Sequence, residues 1–428
     1  MQHPPIPSPE LPPAVAPRTH NRVTRAIAAL TISGAIMGVA SACVDAPEKA
    51  KAETSEIATT YNPVSLREYE PPADCVDPPS DAKSWDKITH TTKFWEIGDG
   101  ITAVPQRLPG NRIMYFTGDS IAFRPKDTPK DYRSFVRNAM VITCGDDAKS
   151  VNPGMEAIPS HSFEEWYWPA ASAIIKDKIV VYADKVTTDK EAKDSNMNFK
   201  LLGTDIAIFS MPTTPDEIPV FESILHMPDT GKSKVDWGKS VVTIEDYAYV
   251  YGTYKSNQPY DFGRDVYVSR IKIADFEKQE YTYWTGKKWS TSAEKAKKII
   301  NSPEMPGLDH AWTTFTPKNS KDNKVVFIAQ KDGTFGTEIG AWSSKRPYGP
   351  FTYKRLGDAP HKKEADDVTY LANAFPAATN KGDDRVLVLT SRNVNGPISS
   401  LKGEKAIEYI TDHRERYLPE ADIFDLAK

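Results

Sequence analysis

Val241-Val242-Thr243-Ile244, Tyr247-Ala248-Tyr249-Val250-Tyr251-Gly252, Val266-Tyr267-Val268-Ser269-Arg270-Ile271 and Tyr281-Thr282-Tyr283-Trp284 decide the fold. All four runs have strand length and are dominated by Val, Ile, Thr and Tyr, which suit a pleated, half-buried surface. Between them lie Asp, Gly, Pro and Asn clusters that turn the chain. The same order returns at Trp312–Phe315, Val325–Ala329, Ile339–Trp342 and Phe351–Tyr353. Further strands are expected at Ile113–Thr117, Phe135–Thr143, Ser172–Tyr182, Asp205–Met211 and Arg385–Thr390. Only Ser292–Ile300 has a helical look. Units begin near residues 88, 165, 238, 308 and 368. This pattern predicts an all-β chain, a five-bladed β-propeller of four-stranded antiparallel blades over 88–428. A pair of β-sandwiches is the alternative, disfavoured because strands continue at even spacing without a linker.

Ahead of residue 88 the character differs. Residues 44–87 are rich in Ala, Glu, Lys, Pro and Ser with little apolar patterning and read as a disordered, flexible tether. Residues 1–43 read as an export signal. Arg18, Arg22 and Arg25 precede an uncharged run from Ala26 to Ala42, which ends Ala40-Ser41-Ala42-Cys43. Small residues followed at once by Cys resemble a lipobox, although Ala40 stands where Leu is usual. Lipidation of Cys43 is one outcome; ordinary secretory cleavage and an uncleaved anchor are the others. Cys75 and Cys144 remain, and an even count in an exported chain suggests a disulfide, with two free thiols as the alternative. The net charge of -4 argues against nucleic acid as a partner. No zinc spacing, Ca²⁺ loop or phosphate loop is present, so the sequence demands no metal or cofactor, and a structural cation in the central channel stays open.

In propellers, chemistry gathers where the innermost strands converge on the central channel. Asp99 in Glu96-Ile97-Gly98-Asp99-Gly100 and Asp119 in Thr117-Gly118-Asp119-Ser120 each follow Gly at the end of an apolar stretch. Gly-Asp is also a common turn dipeptide. Trp168, in Trp166-Tyr167-Trp168, suits stacking on a sugar ring or packing between blades. His310 opens the fourth inner strand and could bond a sugar hydroxyl. Glu245 follows the third inner strand, where a hairpin turn is the plainer reading. Arg270 lies in a Val-Tyr-Val strand and could equally serve a buried ion pair.

An Asp-bearing first strand, then Gly118-Asp119-Ser120, then Arg133 to Arg137 resembles a family of secreted actinobacterial proteins. So do Trp168-Pro169-Ala170, Tyr249 to Thr253 followed by Val266 to Arg270, and Tyr283-Trp284-Thr285-Gly286 followed by Trp289. Some members form glycoside hydrolase family 183, endo-D-arabinanases built as five-bladed propellers. The resemblance covers roughly residues 90–400. It implies an enzyme that cuts D-arabinan of arabinogalactan or lipoarabinomannan; with the lipobox-like segment, the chain reads as a monomeric cell-envelope protein held to the membrane by a lipid anchor and facing the wall. Asp99 and Asp119 would be its catalytic pair, with Trp168, Glu245, Arg270, His310 and Asn373 around the substrate. Asn373 stands where members often carry His, and an amide cannot shuttle a proton. The rival reading is a non-catalytic propeller that binds wall glycan or an envelope protein.

Overall fold

The computed structural model describes residues 75–90, 97–121, 135–150, 156–160, 162, 164–190, 199–255, 263–302, 305–317, 325–333, 336–360, 364, 366–380, 384–394 and 404–427. Cys43 and the expected export segment lie outside them. Helix α1 (Ala82–His90) comes first. Strands β1 (Ile97–Gly98), β2 (Thr102–Ala103), β3 (Ile113–Thr117), β4 (Ser120–Ile121), β5 (Phe135–Val136), β6 (Ala139–Cys144) and β7 (Asp147–Ser150) follow. They form blade 1, ordered β2-β3-β6-β7, and a small side sheet, β1-β4-β5. Blade 2 is β8 (Glu165–Ile175), β9 (Lys178–Thr188), β10 (Phe199–Ser210) and β11 (Phe221–His226). Blade 3 is β12 (Asp236–Ile244), β13 (Tyr247–Lys255), β14 (Arg264–Lys272), β15 (Thr282–Trp284) and β16 (Trp289–Ser290). Blade 4 is β17 (Thr313–Phe315), β18 (Val325–Gln330), β19 (Glu338–Ser344) and β20 (Thr352–Asp358). Blade 5 is β21 (Asp367–Phe375), β22 (Arg385–Val394) and β23 (Glu420–Asp425), with helix α2 (Glu404–Asp412) between the last two. The innermost strands β2, β8, β12, β17 and β21 neighbour one another around a ring, and β21 returns to β2. This is a five-bladed β-propeller, with antiparallel pairing throughout.

The uninterrupted apolar runs are explained by blades buried on both faces. In β3, Met114 and Phe116 pack toward blade 2, while Ile113 and Tyr115 pack toward blade 5. In β9, Val180 and Tyr182 face blade 3, and Ile179 and Val181 face blade 1. β18 divides the same way, with Val325 and Phe327 toward blade 3 and Val326 and Ile328 toward blade 5. Each seam between blades therefore has its own apolar cluster, fed by alternate residues of two neighbouring sheets.

Several expectations change. Blade 3 gains a fifth strand, and blade 5 has three among the described residues. Ser292–Ile300 is not a helix; only Ala293–Lys295 makes a 3-10 turn, and Ile300 is drawn to the edge of β14 beside Val266. Both α-helices went unanticipated. The expected tether over 44–87 is folded at its end: Trp85 in α1 is fully buried with Phe375, Leu387 and Ala421. The Asp86 carboxylate also accepts the Ala421 N–H at 2.9 Å, so α1 seats on β23. Cys75 and Cys144 form a disulfide, fastening this leader to the second-outermost strand of blade 1.

Candidate active site

Asp99 and Asp119 stand side by side at the end of the channel where the inner strands begin. The Asp99 N–H donates to the Asp119 carbonyl at 3.2 Å, and the Gly118 N–H donates to the Asp99 carbonyl at 2.6 Å. A Cβ at residue 118 would sit 3.0 Å from Asp99 Oδ1, so any larger residue would push on the Asp99 carboxylate. The two side chains then diverge. Asp99 is half-buried, and its Oδ2 accepts the Tyr370 hydroxyl of blade 5 at 2.6 Å. Asp119 is 3% exposed. Its Oδ1 accepts Trp168 Nε1 at 2.7 Å and its Oδ2 accepts Arg137 Nη1 at 3.3 Å. The Arg137 guanidinium lies 4.0 Å from the Trp166 ring centroid, which fixes its position.

Electrostatics separates the pair. Burial, and then the negative charge of Asp119, push the Asp99 carboxyl up to about 7. Burial also raises Asp119, but Arg137 and the Trp168 N–H pull against it. Asp119 thus has the donors an anion needs, and Asp99 has a phenol, itself held protonated by burial and by the Asp99 charge.

A second cluster faces the same end from blades 2, 3 and 4. Asp184, which pairs with Trp168 across β8 and β9, accepts His310 Nε2 at 2.8 Å on Oδ2. The ammonium of Lys239, fully buried, bonds Asp184 Oδ1 and lies 2.9 Å from Asp236 Oδ2. Burial would raise Asp184, but Lys239 and then His310 hold its carboxyl well below the usual carboxylate range. Next to His310, Asp309 accepts the His310 N–H at 2.7 Å and the Leu371 N–H at 2.9 Å, beside Tyr370. Side chains from all five blades therefore form a belt around the channel mouth, running Asp119, Trp168, Asp184, Lys239, His310, Asp309, Tyr370, Asp99.

Of the residues singled out from sequence, Asp99, Asp119, Trp168 and His310 meet here. Trp168 enters as a hydrogen-bond donor to Asp119; its ring packs edge-on against Trp166 and Phe199. Asn373 lies one step further along the channel, 2% exposed. Its amide is taken by Thr313 at 3.1 Å and by the Leu371 carbonyl at 3.4 Å, which ties it into the channel wall. Two expectations are corrected. Glu245 sits at the opposite end, at φ 51 in the turn between β12 and β13. Arg270 is on the third strand of blade 3, stacked 4.2 Å from both the Tyr247 and Trp289 ring centroids. That opposite end has a cavity of about 320 Å³ lined by residues such as Val242, Thr243, Phe315 and Arg385, away from the carboxylate belt. Asp184, Asp236, Lys239 and Tyr370 escaped the sequence reading. The one local signal was Gly238-Lys239-Ser240, a lysine inside an apolar inner strand.

The sequence matches the family described as "Domain of unknown function (DUF5005)" over residues 82–409. The chain belongs to this family. No curated protein matches it. Among solved structures, the DUF5005 chain is similar to a candidate hydrolase from Bacteroides ovatus, with 16% identity over 82% of this chain and 93% of that one, at TM-score 0.58. Weaker likenesses are to a family 117 glycoside hydrolase of Zobellia galactanivorans (12% identity, 82% and 87% covered, TM-score 0.42) and to the Cellvibrio cellulosa α-L-arabinanase complexed with arabinohexaose (9%, 77% and 91%, TM-score 0.41). At such identities the likeness to the Bacteroides structure speaks for the fold of this DUF5005 member.

Proposed function

We propose that this protein is a glycoside hydrolase whose reaction takes place at the Asp99–Asp119 end of the channel. The observation that carries the reading is a pair of neighbouring carboxyl groups, one half-buried and keeping its proton to about pH 7, the other buried and held by a guanidinium and an indole N–H. Glycoside hydrolysis needs one protonated and one ionised carboxyl group. In this scheme the Asp99 proton passes to the glycosidic oxygen as its bond to the anomeric carbon breaks. Asp119 either attacks that carbon or takes a proton from the water that does.

The finer reading is a D-arabinan of arabinogalactan or lipoarabinomannan, cut internally. It draws on the family 183 resemblance of the Asp99, Gly118-Asp119-Ser120 and Tyr283-Trp284-Thr285-Gly286 motifs. The same reading puts the protein outside the cytoplasm, lipidated at Cys43, against the polymer it trims. Detergent-phase partition of the native protein beside Cys43→Ala would test the anchor.

A second reading draws on the burial of Asp119, whose two oxygens already have partners. There the mouth binds glycan without cutting it. Incubation of the purified protein with arabinogalactan, beside Asp99→Asn and Asp119→Asn, separates the two. Oligo-arabinosides released by the parent alone support hydrolysis. Retention on the polymer with no release by any form supports binding.

A further inference from the structure

Asp184, Asp236 and His310 bring two carboxylates and an imidazole together, with their ligand atoms within 4.8 Å of one another. Such a set suits a divalent cation. Lys239 already occupies it. The register of β12 slips between Trp237 and Ser240, and Gly238 takes φ +83, where a Cβ would collide with Thr204 at 2.6 Å. This bulge turns Lys239 inward, where its ammonium bonds both carboxylates and is wholly buried. A metal ion held by the same oxygens would meet that positive charge at close range.

Building on the reading of the mouth as a reaction site, we propose that Lys239 is a positioning residue: a built-in cation that replaces a metal among Asp184, Asp236 and His310 and fixes the His310 ring. An ionised Asp184 can only accept, so the His310 nitrogen facing it at 2.8 Å must be the protonated one. In the neutral imidazole, Nδ1 is then the nitrogen that can accept a hydrogen bond. His310 is 22% exposed and offers that acceptor to a sugar hydroxyl. A covalent cation gives this orientation without dependence on metal supply, and chelators cannot remove it.

The test uses the whole purified protein with Mn²⁺ as the probe. Electron paramagnetic resonance should show no Mn²⁺ at this cluster in the parent and one bound ion in Lys239→Met, where the three ligands remain. Ring ¹⁵N spectra, with His310 assigned through His310→Gln, should show the Nε2–H tautomer in the parent and a mixture of tautomers in Lys239→Met. Mn²⁺ bound by the parent and lost in Asp184→Asn would overturn the proposal. So would a Lys239→Met protein with unchanged His310 signals and no Mn²⁺. Should Lys239→Met fail to fold by circular dichroism, Asp184→Asn becomes the deciding protein, and an unaltered His310 tautomer in it would refute the scheme. None of these readouts uses a glycan. A parent that cuts nothing while His310 responds as expected refutes the hydrolase reading and leaves the role of Lys239 standing.

Discussion

The two acidic clusters at the channel mouth share burial and differ in what faces them. Asp184 has an ammonium and an imidazole in contact and is held ionised. Asp99 has a phenol and a second carboxylate, and keeps its proton to about pH 7. Burial raises both in isolation; the neighbouring charge decides the outcome. Two acidic clusters in one ring can therefore differ in charge state: Asp184 touches an ammonium and is ionised, whereas the Arg137 cation of the other cluster bonds Asp119 and leaves Asp99 with a phenol.

The largest effect expected from that contrast is on turnover. Asp99→Asn should lower glycan hydrolysis by about 10³-fold, the range of a lost general acid, with an unchanged circular dichroism spectrum. Equal rates in variant and parent would remove Asp99 from the chemistry. Next comes stability. Lys239→Met strands two carboxylates and should cost about 3–5 kcal/mol in urea unfolding, as breaking a buried pair does. A loss below about 1 kcal/mol would place Lys239 with surface pairs, and the contrast between clusters would dissolve.

The pH dependence has opposite signs in the two clusters. The carboxyl of Asp99 is raised on folding, so its contribution is fully present below the unfolded value of 3.8 and is lost as pH rises through about 7. That of Asp184 is lowered, so its contribution is present above the unfolded value and is lost as acid protonates it. Unfolding free energy measured from pH 4 to 8 should fall less in Asp99→Asn than in the parent. An identical slope would mean that Asp99 titrates normally. The smallest effect belongs to the control at the far end. Glu245→Gly relieves a left-handed backbone and should add about 0.5–1 kcal/mol without touching catalysis, as thermal melts and assays of the same sample would show.

The propeller was legible because blades buried on both faces write themselves as apolar runs, and Ile113–Thr117 appears as read. Turns without glycine hid better. Ser172–Tyr182 looks like one strand, yet it folds back at Lys176, at φ 49, and divides between β8 and β9. Asp99 and Asp119 announced themselves by following glycine at strand ends. Asp184 did not: within Ala183-Asp184-Lys185 it has the look of a solvent-facing strand position, and only the approach of Lys239 and His310 from two other blades gives it a purpose. Arg270 misled for the converse reason, since its strand resembles an inner one while its cation is spent on Tyr247 and Trp289.

The seating of α1 on β23 means that the first described segment and the last complete each other. A nascent chain has no outer strand for its fifth blade until residue 425 is made, and α1 waits without a dock. Closing a loop that spans the whole domain carries an entropic penalty that nearby contacts cannot offset early. Blade 5 and the dock for α1 are then complete only once residues 420–425 have been made, and a protein lacking Glu420–Asp425 should leave α1 open to protease.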